Sequence, residues 1–156
     1  MQTDVTRFLD SKKIDYTVKL HKSLALTCQE AARQRNVRLS QIVKCMVGKD
    51  VNGRFHVMLL PGDKTLKIKK VRTLAGHIRI DLVPPDDIAK EKGVIVGAIS
   101  PIQFMDEATF YMDQTIFNEQ WVDISSGDPG AGVELSSSEL SKLLNAKVCD
   151  IISDRK

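Results

Sequence analysis

The chain has 156 residues, of which 42% are hydrophobic, enough for one buried core and too few for two ordinary domains. No window approaches the roughly 18 apolar residues of a membrane span, and the first residues (Met1, Gln2, Thr3, Asp4) carry no basic stretch leading into an apolar one, so one cytoplasmic domain over residues 1–156 with no membrane partner is expected. The net charge of +3 hides a polarised chain: residues 1–80 hold 17 Lys and Arg against 6 Asp and Glu, whereas residues 81–156 hold 6 against 14.

Val5, Phe8 and Leu9 recur at helical spacing after Thr3 and Asp4, predicting a short helix over 4–12. Tyr16, Val18 and Leu20 alternate as a strand does. Thr27 followed by Glu30 before Ala31 and Ala32 reads as a capping box, with its helix running to about Asn36. Ile42 to Val47 and Phe55 to Leu60 are β-rich runs joined through Asn52-Gly53, a pair that tolerates the positive φ of a hairpin turn. The basic stretch after Pro61-Gly62 predicts a helix through Leu74, ended by Ala75-Gly76. A strand at Ile78 and Ile80, a helix from Pro84-Pro85 to Lys92-Gly93 and a strand at Val94 to Val96 come next. Thr109 to Met112 and Trp121 to Ile124 are further strands, and Ser126 to Gly130 is a turn by composition. Ser136 caps a last helix with Leu140, Leu143 and Leu144 on one face, and Val148, Ile151 and Ile152 follow as a packing segment. Strands outnumber helices without βαβ alternation, so the expectation is an α+β domain around a mixed, strongly curved, partly barrel-like sheet.

Two segments could carry chemistry. Lys44 interrupts the apolar run Ile42 to Val47, on the face shared by Ile42 and Met46. A charge in such a strand either snorkels to solvent or meets an anionic partner or ligand. In the second, Val94 to Val96 breaks into Gly97-Ala98-Ile99-Ser100-Pro101. Gly97 permits a ligand to approach the chain closely, Pro101 stiffens the exit, and amides aimed into a pocket would stabilise an oxyanion. An ordinary strand-ending turn has the same composition.

No Gly-x-Ser-x-Gly motif is present, and Ser100 has no histidine near it in sequence. Cys45 should face away from Lys44 as a core residue, unless a histidine from elsewhere approaches it. His21 ends the first strand. Three cysteines (28, 45, 149) and three histidines (21, 56, 77) are too scattered for a local zinc pattern or a disulfide framework, so neither metal nor cofactor is expected. The basic run Lys64, Lys67, Lys69, Lys70 and Arg72 is either a solvated helix face or a contact for a phosphate backbone.

Three segments taken together resemble the YbaK family, the bacterial Cys-tRNA(Pro) deacylases related to the editing insertion of prolyl-tRNA synthetases. They are Val43-Lys44-Cys45-Met46-Val47, the Gly97 to Pro101 loop, and Ile124-Ser125-Ser126-Gly127 through Val133-Glu134-Leu135 with the Leu-rich helix after it. The resemblance spans nearly the whole chain. It implies a YbaK-like fold and a metal-independent editing deacylase acting on aminoacyl-tRNA in trans, with a prolyl-tRNA synthetase or another synthetase as a possible partner. Lys44 would hold a phosphate or carbonyl oxygen, and the amides of Gly97 to Ser100 the acyl carbonyl or terminal ribose. The attacking group would be water, a tRNA hydroxyl or the substrate's own side chain. His21, Met46, Ser125 and Gly132 would border the acyl pocket, and the basic residues 64–72 would guide the acceptor stem.

Where the relatives have a Lys-Arg-Gly turn and then an aspartate, this chain has Asp128-Pro129-Gly130 and Gly132. Cysteine specificity therefore does not carry over, and alanine, serine or threonine are alternatives. A non-catalytic tRNA-binding module of the same fold, acting as a synthetase partner, is the second reading.

Overall fold

A computed structural model describes residues 1–154. The chain runs α1 (Asp4–Ser11), β1 (Tyr16–Leu20), α2 (Cys28–Arg35), β2 (Val43–Asp50), β3 (Phe55–Pro61), α3 (Ile68–Leu74), β4 (Ile80–Leu82), α4 (Pro85–Lys92), β5 (Ala108–Asp113), β6 (Trp121–Ser125), β7 (Ala131–Ser136), α5 (Ser137–Leu144) and β8 (Lys147–Cys149). The α+β class is as expected. The strands, however, divide between two sheets rather than curving as one: an antiparallel sheet in the order β1-β7-β6, and a mixed sheet in the order β4-β2-β3-β5-β8. A bridge between Ile42 and Asp123 joins their edges.

The local signals act as their chemistry requires. Thr27 accepts the amide of Glu30 at the start of α2, and the Glu30 carboxylate reaches back one residue further than a capping box, to the amide of Leu26. Pro85 opens α4 and Gly93 closes it at φ 70°; Ser136 accepts the amide of Glu139 to start α5. The hairpin of β2 and β3 pairs Lys44 with Leu60 and Met46 with Met58.

Two expectations need correction. The predicted strand at Val94 to Val96 is a loop: Ile95 and Val96 are exposed, and the Ala98 amide turns back onto the Ile95 carbonyl at 2.9 Å. The basic helix starts only at Ile68, because the backbone before it is held in extended pairing with the C-terminal segment. Lys67 donates to Ile151, Ser153 donates to Thr65, and Leu66 bridges Ile152.

The main core fills the space between the sheets with Val47, Val57, Leu59, Phe104, Met112, Ile124, Val133 and Leu135, closed by Val5 and Leu9 of α1 and Leu140 of α5. In β6 and β7 this uses alternate residues, so Asp123, Ser125, Gly132 and Glu134 point to the opposite face. There α2 covers them, resting on a small cluster of Ala25, Ala31, Ala32 and Ile42.

Candidate active site

Between α2, the start of β2 and the loop at 96–99 lies a cleft of about 320 Å³. Its walls are apolar (Ala25, Ile42, Val43, Val96, Ile99), and its polar groups are few: Lys44, Arg35, Asp123, Ser125, Thr27 and Cys28. A mostly apolar hollow with a handful of convergent polar groups is the usual form of a small-molecule subsite.

Lys44 and the glycine loop, far apart in sequence, meet here. The half-buried Lys44 ammonium donates to the Lys64 carbonyl at 2.6 Å. One of its three protons is thereby committed, which fixes the head at the cleft wall and leaves the others for a ligand. Gly97 adopts φ 86° and lies under Leu26, so close that a Cβ there would stand 2.9 Å from Leu26 Cδ2. Loop and α2 entry thus close together because residue 97 lacks a side chain.

The four amides of the loop do not act alike. Ala98 and Ser100 spend theirs internally, on the Ile95 carbonyl and on Gln103 Oε1 at 2.9 Å each. Those of Gly97 and Ile99 have no protein acceptor among the described residues, and these two residues line the cleft. Ser100 and Pro101 are buried behind it.

Of the pocket residues inferred from resemblance, Ser125 lines the cleft. Met46 does not; further along β2 it packs against the cluster of Met58, Val71 and Tyr111. His21 and Gly132 stand behind the wall and shape it through Arg35. Pro129 O accepts from His21 Nδ1 at 2.8 Å, and Arg35 Nε donates to His21 Nε2 at 3.0 Å. That arrangement holds the imidazole neutral, and burial lowers its pKa, with the Arg35 charge adding to the effect. A Cβ on Gly132 would lie 2.0 Å from Arg35 Cζ. The acidic turn folds itself: Asp128 Oδ1 accepts the Gly130 amide at 2.7 Å.

Arg35 and Asp123 are the site residues that sequence reasoning missed. Asp123 is fully buried and Arg35 only 6% exposed, with Nη1 3.9 Å from Asp123 Oδ1. Lys19, itself bonded to Glu134, is equally distant from that oxygen. Among the described residues no N–H or O–H donates to either Asp123 oxygen, and the Glu134 carboxyl lies close enough to share a proton with it. Burial, with the neighbouring Glu134 carboxyl adding to it, pushes this carboxyl up to about 7 against the pull of Lys19 and Arg35. The available signal was a charge between Val122 and Ile124 in a strand, the same argument that singled out Lys44.

Neither cleft thiol suits a nucleophile: burial raises Cys28 and pushes Cys45 up to about 12. His56 is engaged elsewhere, with Asp50 at 2.9 Å and Tyr111 at 3.0 Å. Among the described residues no group of three or more His, Cys, Asp or Glu could hold a metal ion, and no helix is long and apolar enough to cross a membrane.

The family profile of the aminoacyl-tRNA editing domain matches residues 22–143, a span that contains Lys44, the Gly97 loop, Ser125 and the whole cleft wall. The chain belongs to this editing-domain family. Among its relatives, the uncharacterized YwhH of Bacillus subtilis is 25% identical over 82% of both chains. An Enterococcus faecalis protein provisionally named Cys-tRNA(Pro)/Cys-tRNA(Cys) deacylase EbsC is 22% identical over 81% of this chain and 77% of its own. The Fervidobacterium nodosum proline--tRNA ligase is 30% identical over 60% of this chain, which corresponds to only 16% of the ligase. The editing-domain fold also matches the crystal structure of the hypothetical protein APE2540, with a TM-score of 0.89, 24% identity and coverage of 97% and 100% of the two chains.

Proposed function

We propose that this editing domain is a deacylase acting in trans, hydrolysing the ester of a mischarged tRNA, with tRNA(Pro) carrying alanine or cysteine as first candidates and serine or threonine as alternatives. The observation that carries the reading is the convergence of Lys44 and the uncommitted amides of Gly97 and Ile99 on one cleft of amino-acid size. In the reaction a water attacks the acyl carbon, losing a proton as it adds. The two amides accept the negative charge that develops on the carbonyl oxygen, an effect worth about 3 kcal/mol per donor in comparable sites. The acyl carbon–oxygen bond then breaks, the ribose oxygen takes a proton, and the amino acid leaves. Lys44 holds a phosphate or the carbonyl oxygen of the aminoacyl end, so that positioning rather than a covalent intermediate lowers the barrier. No metal ion enters this scheme.

The placement of the basic segment supports a tRNA substrate. Lys44 bonds the carbonyl of Lys64, so the segment begins at the cleft wall. Lys64, Lys67 and Lys69 are exposed along it, where an acceptor stem leading to the cleft would run. Lys70 and Arg72 are occupied instead, Lys70 with Asp150, Asp154 and the Ile152 carbonyl, Arg72 with Asp81 and the Ile80 carbonyl.

The test is to incubate the purified chain with Ala-, Cys-, Ser- and Thr-tRNA(Pro), with and without a prolyl-tRNA synthetase. Release of at least one amino acid well above the spontaneous rate is expected without the synthetase. Protection or indifference toward every ester would leave a binding module in place of an enzyme.

A further inference from the structure

The cleft contains a charged group that this mechanism does not use. Among the described residues Asp123 is the only carboxylate lining the cleft; it is fully buried and no N–H or O–H donates to either of its oxygens, the Glu134 carboxyl beside it being an acceptor or a sharer of its proton. An anion so placed is costly unless a partner arrives.

The neighbouring cations do not fill that role. Arg35 Nε is given to His21, and Nη1 reaches toward the Ile124 carbonyl at 3.4 Å. Lys19 Nζ is given to Glu134. Both heads stop 3.9 Å from Asp123 Oδ1, beyond hydrogen-bond distance. They offset the charge of the carboxylate while leaving its lone pairs open. The arrangement is locked from behind: Gly132 leaves the room that the Arg35 guanidinium occupies, and His21, anchored on Pro129, holds its Nε.

We infer that Asp123 is the receptor for the α-ammonium group of the aminoacyl ester, with Arg35 as the positioning residue that keeps its oxygens turned to the cleft. This rests on the deacylase reading above. The ammonium is the group common to every aminoacyl ester that both carries positive charge and donates several hydrogen bonds, which is the chemistry the open carboxylate lacks. It is attached to the carbon next to the carbonyl, so fixing it beside Asp123 orients the carbonyl, while the apolar walls receive the side chain. A carboxylate that receives the common group leaves the apolar wall of Ala25, Ile42, Val43 and Ile99 to receive the side chain.

The deciding comparison replaces the ammonium by a hydroxyl of nearly the same size: alanyl-tRNA against lactyl-tRNA made from it by deamination. The wild-type chain should cleave the alanyl ester at least tenfold faster in kcat/KM. Asp123→Asn should bring the two esters within twofold of each other by losing rate on the alanyl ester alone. A wild-type ratio within twofold, or an Asn variant that slows both esters equally, overturns the assignment and leaves the deacylase reading intact. If the wild-type chain cleaves neither ester, the deacylase reading fails for this substrate, and binding decides the assignment. The 3′-alanylamino analogue of 3′-deoxyadenosine should then bind at least tenfold tighter than its lactyl counterpart, and equal or absent binding overturns the inference. The wild-type comparisons need no variant to fold.

Discussion

The Arg35 guanidinium passes through the space that a side chain at residue 132 would occupy: a Cβ on Gly132 would stand 2.0 Å from Arg35 Cζ and Nε. Gly132→Ala should therefore cost about 1–3 kcal/mol, as overpacking of a tight site does. In an Arg35→Ala background the same change should cost far less, since the clash is with that side chain. A double-mutant cycle by urea unfolding reads the coupling directly, and additivity of the two changes would refute the packing relationship.

Much of this frame is legible in the sequence because its signals are local. The caps at Thr27 and Ser136, Pro85 opening α4, Gly93 closing it and the Asn52-Gly53 hairpin each depend on residues a few positions apart. The division into two sheets is not local: β1 pairs with β7 and β5 with β8, across long stretches of chain. β7 follows directly on the turn composition of Ser126 to Gly130 and contains Gly132, so it gives no strand signal, although Val133 and Leu135 are buried in the core. Within the site, Lys44 betrayed itself as a charge in an apolar strand. Arg35 gave no such sign, since a cation in the last turn of a helix is ordinary there, and only the fold brings it against Asp123.

Lys44→Ala should lower kcat/KM for the best ester by at least about 100-fold, near 2.7 kcal/mol of transition-state stabilisation. The fold should survive, because Lys44 is half-buried and its one protein bond goes to the Lys64 carbonyl. Circular dichroism and urea unfolding check the fold, and single-turnover deacylation checks the rate. Activity within twofold of wild type would remove Lys44 from the mechanism.

Gly97→Ala tests the loop. Residue 97 combines φ 86° with a contact of 2.9 Å between a built Cβ and Leu26 Cδ2, and the Leu26 Cα lies 3.2 Å away. An alanine is strained by the backbone and pushed by α2's entry, so a loss of about 1–3 kcal/mol is expected. Because the shift moves the amides of Gly97 and Ile99, deacylation should fall by more than the unfolded fraction accounts for. Retention of full activity at a temperature where the variant is folded would argue against an oxyanion role for this loop.

The basic segment separates into two groups with different expected behaviour. Lys64, Lys67 and Lys69 are exposed, and replacing each by alanine should weaken tRNA binding uniformly and reduce the slope of log K against log salt by about 1 per lost phosphate contact. Lys70 is bonded to Asp150, Asp154 and the Ile152 carbonyl. Lys70→Ala should instead loosen the C-terminal segment with little change in the salt slope. Filter binding across a salt series distinguishes them, and an unchanged slope for all four variants would exclude this segment from the interface.

Asp123 makes stability depend on pH with a sign opposite to that of most carboxylates. Its pKa in the folded chain is pushed up to about 7 by burial, whereas in the unfolded chain it should be near 3.9. Between those values the folded state holds a proton that the unfolded state has released, so this residue's contribution to stability is fully present at acid pH and is lost as pH rises through 7. The charged groups facing it are Arg35, Lys19 and Glu134, and His21 stands behind Arg35 with its pKa lowered by burial. Asp123→Asn removes the titration and keeps the shape. The difference in melting temperature, variant minus wild type, should therefore move in favour of the variant between pH 5 and pH 8, whatever its absolute sign at either end. A difference that stays constant over this range would mean that Asp123 is ionised throughout, with Arg35 and Lys19 offsetting its burial completely.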